Sequence, residues 1–308
     1  MRILITGGNG MLGRDLQSEL KAVAELFPVG HADCEITDPA MLSRVFGQIK
    51  PQLIINCAAY TDVDGCERDT ERALAVNGQG AGNVARAAER IGARVFHIST
   101  DYVFDGAERW NGSGSTPENR ARGLREYIET DATSPVSMYG SSKLAGELTV
   151  LGNGNAGGHL CIRTSWLYGL NRVNFIDRVV EQALRGGPVK AVTDQISCLT
   201  WTRDLARAIT RLVSQQGSHP ARGILHLAGS GMSTRLENAH HVVEWLTAHG
   251  KLAQAVELQG TTWTSLKLPA KRPAFSAITS ARFEELGIPA LPDWRVSLDE
   301  YLSLRVRS

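Results

Sequence analysis

The chain has 308 residues, of which 43% are hydrophobic and 21% are charged, and its formal net charge is +1 at pH 7. This composition is typical of a folded protein with a sizeable core, and the near-neutral charge argues against general attraction to nucleic acid or to an anionic membrane. The five cysteines show no metal-ligand spacing, and no apolar run approaches the ~18 residues that span a bilayer, so we expect a cytoplasmic protein with reduced thiols.

Short apolar runs alternate with helical patterns through the first two-thirds of the chain. The predicted strands are Arg2–Thr6, Phe27–Gly30, Gln52–Cys57, Arg94–Ile98 and Leu160–Thr164, and the predicted helices include Leu12–Leu26, Pro39–Ile49 and Asn77–Ile91. The run at 52–57 is apolar almost throughout, which is typical of a strand buried on both faces of a parallel sheet. This alternation predicts an α/β fold with a doubly wound parallel sheet of the Rossmann type.

A glycine-rich segment follows the first predicted strand directly. Gly7, Gly10 and Gly13 have the spacing in which the first glycine makes a tight turn, the second lets backbone amides approach a pyrophosphate and the third allows close helix–strand packing. Such a pyrophosphate lies at a helix N-terminus, where unpaired N–H groups favour an anion. The segment therefore predicts a binding site for a dinucleotide such as NAD(P)H.

The end of the second predicted strand bears on the choice of cofactor. Many NAD-preferring folds have an acid there that binds the ribose hydroxyls, whereas this chain has Val29, Gly30 and His31. A 2′-phosphate would meet no carboxylate at this position, which favours NADPH and leaves NADH as the alternative. Glu35 and Ile36, a little later, are candidate contacts for the adenine.

Four polar side chains form the predicted catalytic region. Tyr139 and Lys143 are about one helical turn apart and so share one face of a helix, where the lysine cation is expected to lower the pKa of the phenol from its ordinary value of ~10. Tyr139 could then give a proton to a carbonyl oxygen as a hydride arrives at the carbon. Thr100 and Asp101 follow the fourth strand at the carboxyl edge of the sheet, where Thr100 could bind that oxygen and Asp101 a sugar hydroxyl, although both also occur as ordinary turn residues.

Residues 105–130 interrupt the alternation, and we interpret them as a surface loop or lid because they are rich in Gly, Ser, Arg and Glu. The predicted elements of the last third are a strand at 224–228 and helices at 234–249 and 297–305. These elements do not resume clear βαβ alternation. We therefore predict a Rossmann domain over residues 1–165, which includes the Tyr139 helix, and a mixed segment over residues 166–308 that completes the sheet and forms a smaller C-terminal substrate-binding lobe.

Six segments that run almost from end to end carry a family resemblance. In chain order they are GGNGMLGRDL, INCAAYTDVDGCE, ISTDYVFDG, YGSSKLAGE, RTSWLYG and LPDWRVSL. Together they resemble the dTDP-4-dehydrorhamnose reductase family of extended short-chain dehydrogenases. The resemblance implies an NAD(P)H-dependent oxidoreductase of dTDP-rhamnose or related deoxysugar biosynthesis, which reduces the 4-keto group of a nucleotide-linked 6-deoxysugar. The ISTDYVFDG and RTSWLYG segments favour such a reductase over a related C4 epimerase.

The resemblance also implies roles for individual residues. Thr100, Tyr139 and Lys143 match the catalytic group, and the last two also match cofactor contacts. The other implied cofactor contacts are Gly10, Met11 and Leu12 at the pyrophosphate, Glu35 and Ile36 at the adenine, and Ala59, Tyr60 and Thr61 after the third strand. The implied substrate contacts are Thr100, Asp101, Val63, Trp166 and Arg272, of which Arg272 would face the nucleotide diphosphate. Trp166 could instead be a core aromatic and Arg272 a solvated loop residue.

The departures from the family pattern lie on the substrate side. The DQxGxPT segment is here Asp194–Thr200, in which the glycine and the proline are both replaced, and the usual Ser-x-Leu after Arg-Pro is here Ser276–Ile278. Residues 105–130 are longer than the usual connection, and the helix after Gly231 lacks the usual aromatic near its start. The sugar, the nucleotide base and the product configuration therefore stay open.

A non-catalytic regulatory subunit is the main alternative to an enzyme. The β subunit of methionine adenosyltransferase resembles the same family, and residues 105–130 could be a docking element, whereas the intact Tyr139 and Lys143 pair favours an enzyme. Some family members are associated with Mg²⁺ at a subunit contact that Asp15 matches, but one acid does not make a magnesium site, and we predict no catalytic metal. A homodimer fits the resemblance, although the sequence shows no interface.

Overall fold

A six-stranded sheet lies at the centre of the computed structural model, which describes residues 1–108, 121–152, 155–215 and 220–306. Its strands are β1 (Arg2–Thr6), β2 (Glu25–Val29), β3 (Leu53–Asn56), β4 (Arg94–Thr100), β5 (Leu160–Thr164) and β10 (Gly223–His226). All neighbouring strands are parallel, in the order β10-β5-β4-β3-β1-β2. The chain runs outward from β1 first to one side and then to the other, which is the doubly wound Rossmann arrangement.

Helices cover both faces of this sheet, and three further helices in the second half of the chain pack in a separate core. The helices are α1 (Met11–Leu20), α2 (Pro39–Ile49), α3 (Val63–Arg68), α4 (Thr70–Ala73), α5 (Ala81–Glu89), α6 (Met138–Leu151), α7 (Phe175–Leu184), α8 (Thr202–Ser214), α9 (Arg235–Ala248) and α10 (Trp294–Arg305). Successive strand residues point to opposite faces. Ile3 and Ile5 therefore pack with α1 and α8 on one face, and Leu4 packs with α2 and α5 on the other. Burial of both faces is the reason that the strands are apolar.

A second hydrophobic core belongs to the C-terminal part of the chain. It joins α7, α9 and α10, and its largest fully buried side chains are Trp201, Trp294, Tyr168 and Tyr301. Short strand pairs surround it, namely β6 (Leu167–Tyr168) with β9 (Thr200–Trp201), β7 (Val189–Val192) with β12 (Leu258–Thr261), and β8 (Ile196–Ser197) with β11 (Ser233–Thr234). Because β10 and α8 pack in the main sheet layers, the chain after residue 166 contributes to both cores. Within the described ranges, none of the helices has the length and hydrophobicity that crossing a membrane requires.

The first helix and the second strand begin and end differently from the prediction. The helix ends at Leu20 rather than at Leu26. Glu25 and Leu26 are extended instead, and together with residues 27–29, which belong to the predicted second strand, they form β2 at the edge of the sheet beside β1. At Glu25 and Leu26 the helical periodicity is therefore overridden by backbone pairing with β1, a strand that is distant in sequence and adjacent in the fold.

The prediction of a surface loop at 105–130 is wrong for part of that segment. Residues 109–120 lie outside the described ranges. Residues 121–130, in contrast, carry Leu124 and Tyr127, which are 3% and 0% exposed and belong to a hydrophobic cluster. This stretch is part of the core, because its few apolar side chains are the ones that turn inward.

Gly13→Ala should destabilise the protein, because a Cβ at this position would lie 2.5 Å from the carbonyl oxygen of Gly7 and 2.8 Å from the backbone of Gly8. Neither neighbour is the end of a flexible side chain, so we expect the free energy of unfolding to fall by about 1–3 kcal/mol. Gly47→Ala is the matched control, since a Cβ there meets no atom within 4 Å and alanine favours the interior of α2. Denaturant unfolding measures both variants, and equal stabilities would contradict the packing argument.

Candidate active site

A cavity of about 880 Å³ opens at the carboxyl edge of the sheet. The predicted site residues that line it are Gly7, Gly10, Met11, Leu12, Gly13, Glu35, Ile36, Ala59, Tyr60, Thr61, Val63, Thr100, Asp101, Tyr139, Lys143 and Trp166. Arg272 is the one predicted site residue that does not line it. The carboxyl ends of parallel strands share one edge, which explains why segments so distant in sequence meet there.

The glycine loop has the shape that a dinucleotide pyrophosphate requires. Gly7 has a φ of +66°, a conformation that residues with a Cβ rarely adopt, and a Cβ at Gly13 would overlap the loop backbone. Gly10 is the N-cap of α1 and offers no side chain to the first N–H groups of the helix. These amides therefore remain available to an anion, and the glycine loop fits a dinucleotide pyrophosphate.

At the end of β2, two carboxylates lie near the cavity but are engaged. Asp33 accepts a hydrogen bond from the backbone N–H of Gly30 at 3.0 Å, and it does not line the cavity. Glu35 forms an ion pair with His31 and accepts a hydrogen bond from the N–H of Thr37 at 2.9 Å. Gly30 and His31 themselves form the cavity wall, so no carboxylate comes directly after β2 there.

Tyr139 lies in the first turn of α6, which begins where the Ser137 side chain accepts a hydrogen bond from the N–H of Gly140 at 3.1 Å. Burial raises the pKa of the Tyr139 phenol above its ordinary value, and a hydrogen bond with Thr100 opposes that rise. The expected lowering of this pKa by Lys143 is therefore wrong in its direction, because desolvation of the phenolate outweighs the favourable interactions.

Lys143 is 2% exposed and turns toward the sheet. Its Nζ donates a hydrogen bond to the carbonyl oxygen of Ile98 at 2.7 Å and lies 3.3 Å from Nε2 of His97. Burial lowers the pKa of Lys143 to about 8, against the opposing influence of Glu147. The lysine thus loses its proton more readily than an exposed one.

A buried chain of polar groups continues from Lys143 across the sheet. His97 Nδ1 lies 3.0 Å from Nδ2 of Asn56, and Asn56 Oδ1 accepts a hydrogen bond from the hydroxyl of Thr6 at 2.6 Å. The backbone N–H of Ala58 also donates to Asn56 Oδ1 at 3.3 Å. These side chains come from β1, β3 and β4, so the position of Lys143 depends on the register of three strands.

Asp101 is a buried carboxylate that collects hydroxyl groups. Its Oδ2 accepts hydrogen bonds from Ser165 at 2.9 Å, Ser197 at 2.8 Å and Ser276 at 2.6 Å, and its Oδ1 accepts one from Thr100 at 3.1 Å. Burial raises the pKa of Asp101, and these four hydroxyls oppose the rise. Ser197 occupies the position of the glycine in the family's DQxGxPT segment. The replacement therefore supplies one of the hydroxyl groups that donate to Asp101. A contact between Asp101 and a sugar hydroxyl stays a prediction.

Trp166 and Arg235 together form one part of the cavity wall. Trp166 has a φ of +32°, so the surrounding structure holds it in a conformation that its own backbone disfavours. The guanidinium carbon of Arg235 lies 3.9 Å from the centroid of the Trp166 ring. Sequence reasoning missed Arg235, as well as Tyr102 and Arg172 in the same wall. The missing aromatic in the helix after Gly231 was the available signal, since Arg235 begins that helix.

Arg272 lies outside the cavity wall and is fully engaged. Its Nη1 and Nη2 donate to the two carboxylate oxygens of Asp64 at 2.8 and 2.9 Å, and its guanidinium stacks on the ring of Trp263 at 3.9 Å. The Arg272 guanidinium in turn holds the pKa of Asp64 below its ordinary value. Arg272 thus lies beside the cavity, paired with the neighbour of Val63, and its contact with the nucleotide diphosphate stays a prediction.

Asp15 lies at the junction of α1 with α8. It accepts hydrogen bonds from Thr202 at 2.5 Å and from Asn171 at 3.0 Å, and burial raises its pKa. Over the described part of the chain, no group of three His, Cys, Asp or Glu side chains has an arrangement that could hold a metal ion.

Comparisons with known proteins agree with this geometry. A family model described as the RmlD substrate binding domain matches residues 1–306. The dTDP-4-dehydrorhamnose reductase of Burkholderia thailandensis is 33% identical over 305 residues, which cover 97% of each chain. A probable dTDP-4,6-dihydroxy-2-methyloxan-3-one 4-ketoreductase of Streptomyces antibioticus is 35% identical over 97% of this chain and 94% of the relative. The crystal structure of the Bacillus anthracis dTDP-4-dehydrorhamnose reductase in complex with NADP has a TM-score of 0.84 at 30% identity, covering 98% of each chain.

Lys143→Met should change how stability depends on pH. The folded protein holds the lysine proton less tightly than the unfolded chain, since the pKa of Lys143 is about 8 against an ordinary 10.5. Lys143 therefore destabilises the fold most below pH 8, and this penalty disappears as the pH rises through 8 toward 10.5. Between pH 7 and pH 10, the unfolding free energy of the wild type should rise by about 2–3 kcal/mol relative to Lys143→Met. Denaturant unfolding of both proteins at pH 7 and pH 10 measures this change. If the difference in unfolding free energy between them is the same at the two pH values, the low pKa of Lys143 is contradicted.

Proposed function

The chain belongs to the RmlD substrate binding domain family, and we propose that it is an NADPH-dependent reductase of the 4-keto group of a nucleotide-linked 6-deoxysugar. The observation that carries the proposal is the presence of Tyr139, Lys143 and Thr100 in one cavity with the glycine loop. The reductases that match this chain along nearly its whole length support the same reaction. They support an enzyme rather than a non-catalytic subunit.

The cofactor side of the cavity suits a dinucleotide. We propose that the pyrophosphate is held by the loop at Gly7, Gly10 and Gly13, with the adenine near Glu35 and Ile36. The other proposed contacts are Met11, Leu12, Ala59, Tyr60, Thr61, Tyr139 and Lys143. When bound, the dinucleotide supplies the hydride that reaches the carbonyl carbon.

Tyr139 supplies the proton. As the C4–H bond forms and the carbonyl π bond breaks, the phenol transfers its proton to the carbonyl oxygen, and the product is a 4-hydroxy sugar. The raised pKa keeps Tyr139 protonated at neutral pH, which is the form that a reduction needs. The hydroxyl of Thr100 donates to Asp101 at 3.1 Å and interacts with the phenol, so it lies beside the proposed position of the carbonyl oxygen and would bind that oxygen by turning its proton away from Asp101.

We propose that the sugar contacts Val63, Asp101 and Trp166, which line the same cavity. We further propose that residues 1–165 form the cofactor-binding domain and residues 166–308 supply most of the substrate side. The separate hydrophobic core of α7, α9 and α10 supports that division. The similarity to a probable dTDP-linked 4-ketoreductase supports a 4-keto deoxysugar nucleotide as the substrate class without singling out rhamnose.

Tyr139→Phe should lower kcat by roughly 10²- to 10⁴-fold while the Kd for NADP⁺ stays near that of the wild type, because only the transferable proton is lost. The assay is NADPH consumption with a panel of dTDP- and UDP-linked 4-keto-6-deoxysugars. Tyr102→Phe is the matched control, since it removes a second phenol from the same cavity, 5.9 Å away between ring centroids. Near-wild-type turnover of Tyr139→Phe would show that another group is the acid, and no turnover of any panel member by the wild type would sink the proposed reaction.

Gly30→Asp should shift cofactor preference toward NADH, because a carboxylate next to β2 would repel a 2′-phosphate. We expect the NADPH-to-NADH ratio of kcat/KM to fall roughly tenfold. A Cβ at Gly30 would contact Nδ2 of Asn9 at 2.6 Å, a side-chain end that can move. Gly30→Ala therefore controls for the steric change. If both variants have the same ratio, the 2′-phosphate does not lie at this position.

A further inference from the structure

Arg235 is the first residue of α9, and its side chain enters the cavity. The guanidinium is stacked on Trp166 on one side and lies 4.7 Å from the ring centroid of Phe175 on the other. Stacking of this kind uses the faces of the guanidinium and leaves the N–H groups at its edge free to donate. The side chain is thus held in place by aromatic contacts rather than by hydrogen bonds.

No carboxylate is in direct contact with this cation within residues 1–108, 121–152, 155–215 and 220–306, although the buried carboxylate of Asp101 is close enough to raise its pKa. Arg235 forms neither an ion pair nor a hydrogen bond there, and burial lowers its pKa to about 10, so it remains charged at neutral pH. Two nearby acids are engaged elsewhere. Glu237 caps the N–H of Thr234 at 2.7 Å and pairs with Arg122, and Asp101 holds its hydroxyl groups.

The other inward-facing arginines differ in this respect. Arg163 donates to both oxygens of Glu147, at 2.9 and 2.7 Å, and Arg272 donates to both oxygens of Asp64. Removing a cation from water is costly unless an anion and hydrogen bonds replace the hydration. Arg235 is therefore the half-buried cavity cation that is suited to an anion from outside the chain, whereas Arg72 and Arg172, which also line the cavity, are exposed to water.

We propose that Arg235 binds the diphosphate of the nucleotide-linked sugar, an assignment that rests on the proposed function. The diphosphate is the anionic group of such a substrate, and the planar fork of a guanidinium matches phosphate oxygens through two parallel N–H donors. Trp166, the proposed sugar contact, orients the fork. The anion site thus adjoins the proposed sugar site in the same cavity.

The direct test is calorimetric binding of dTDP, and separately of UDP, to the protein saturated with NADP⁺. Arg235→Met keeps the length of the side chain but removes its charge, and should raise the Kd of the nucleoside diphosphate roughly 10- to 100-fold. Arg235→Lys should recover part of the affinity, because it restores the charge without the fork. Arg211→Met, which removes an exposed cation from α8, is the matched control and should bind like the wild type. All variants should bind NADP⁺ equally, which establishes that they are folded.

Kinetic measurements distinguish a role of Arg235 in binding the diphosphate from a role at the sugar. Arg235→Met should raise KM for the sugar nucleotide more than it lowers kcat. High salt should reduce the difference in KM between this variant and the wild type, because salt screens the attraction between Arg235 and the diphosphate. The proposal is overturned if Arg235→Met binds dTDP and UDP as tightly as the wild type, or if the wild type binds neither. Arg235-dependent binding of a nucleoside diphosphate by a protein that reduces no 4-keto sugar would instead support this site and contradict the proposed reaction.

Discussion

The buried carboxylate of Asp101 is the constraint on which the candidate active site depends. A carboxylate with 2% exposure needs hydrogen-bond donors to offset its lost hydration, and the chain supplies them from three segments that are remote in sequence. Ser165 follows β5, Ser197 ends β8, and Ser276 lies between β12 and α10. The end of β4 is thereby tied to the C-terminal part of the chain beside the catalytic group. One charge therefore couples the cofactor side of the cavity to its substrate side.

Two cations in the cavity, Lys143 and Arg235, respond differently to the loss of hydration that burial imposes on a charge. Lys143 turns to a backbone carbonyl and to His97, and burial moves its pKa down into a range where it exchanges protons near neutral pH. Arg235 keeps its charge between aromatic rings, since a guanidinium deprotonates with far more difficulty than an ammonium. A group that can release its proton lies on the same helix as Tyr139, the proposed proton donor, and a permanent charge lies on the proposed diphosphate side. This division follows the chemistry of the two side chains.

The sequence-based predictions succeeded where the signal was local and repeated. Continuous apolar runs located most of the central strands, and α2 and β5 have the predicted bounds. They were wrong where a distant partner decided the outcome. The predicted helix runs on through Glu25 and Leu26, which instead pair with β1 at the start of β2, and Tyr127 is buried in a stretch whose polar composition indicated a surface loop. Helical periodicity reports one face of one element, and it carries no information about a pairing partner elsewhere in the chain.

The sequence by itself determined the fold class, the glycine-rich loop after the first strand and the Tyr139–Lys143 helix, because each rests on residue types at short fixed spacings. Only the tertiary structure decided the direction of the Tyr139 pKa, the pairing of Arg272 with Asp64 and the entry of Arg235 into the cavity. Those properties depend on desolvation and on which opposite charge comes within a few ångströms. Both are set by packing between segments that the linear order of the chain keeps far apart.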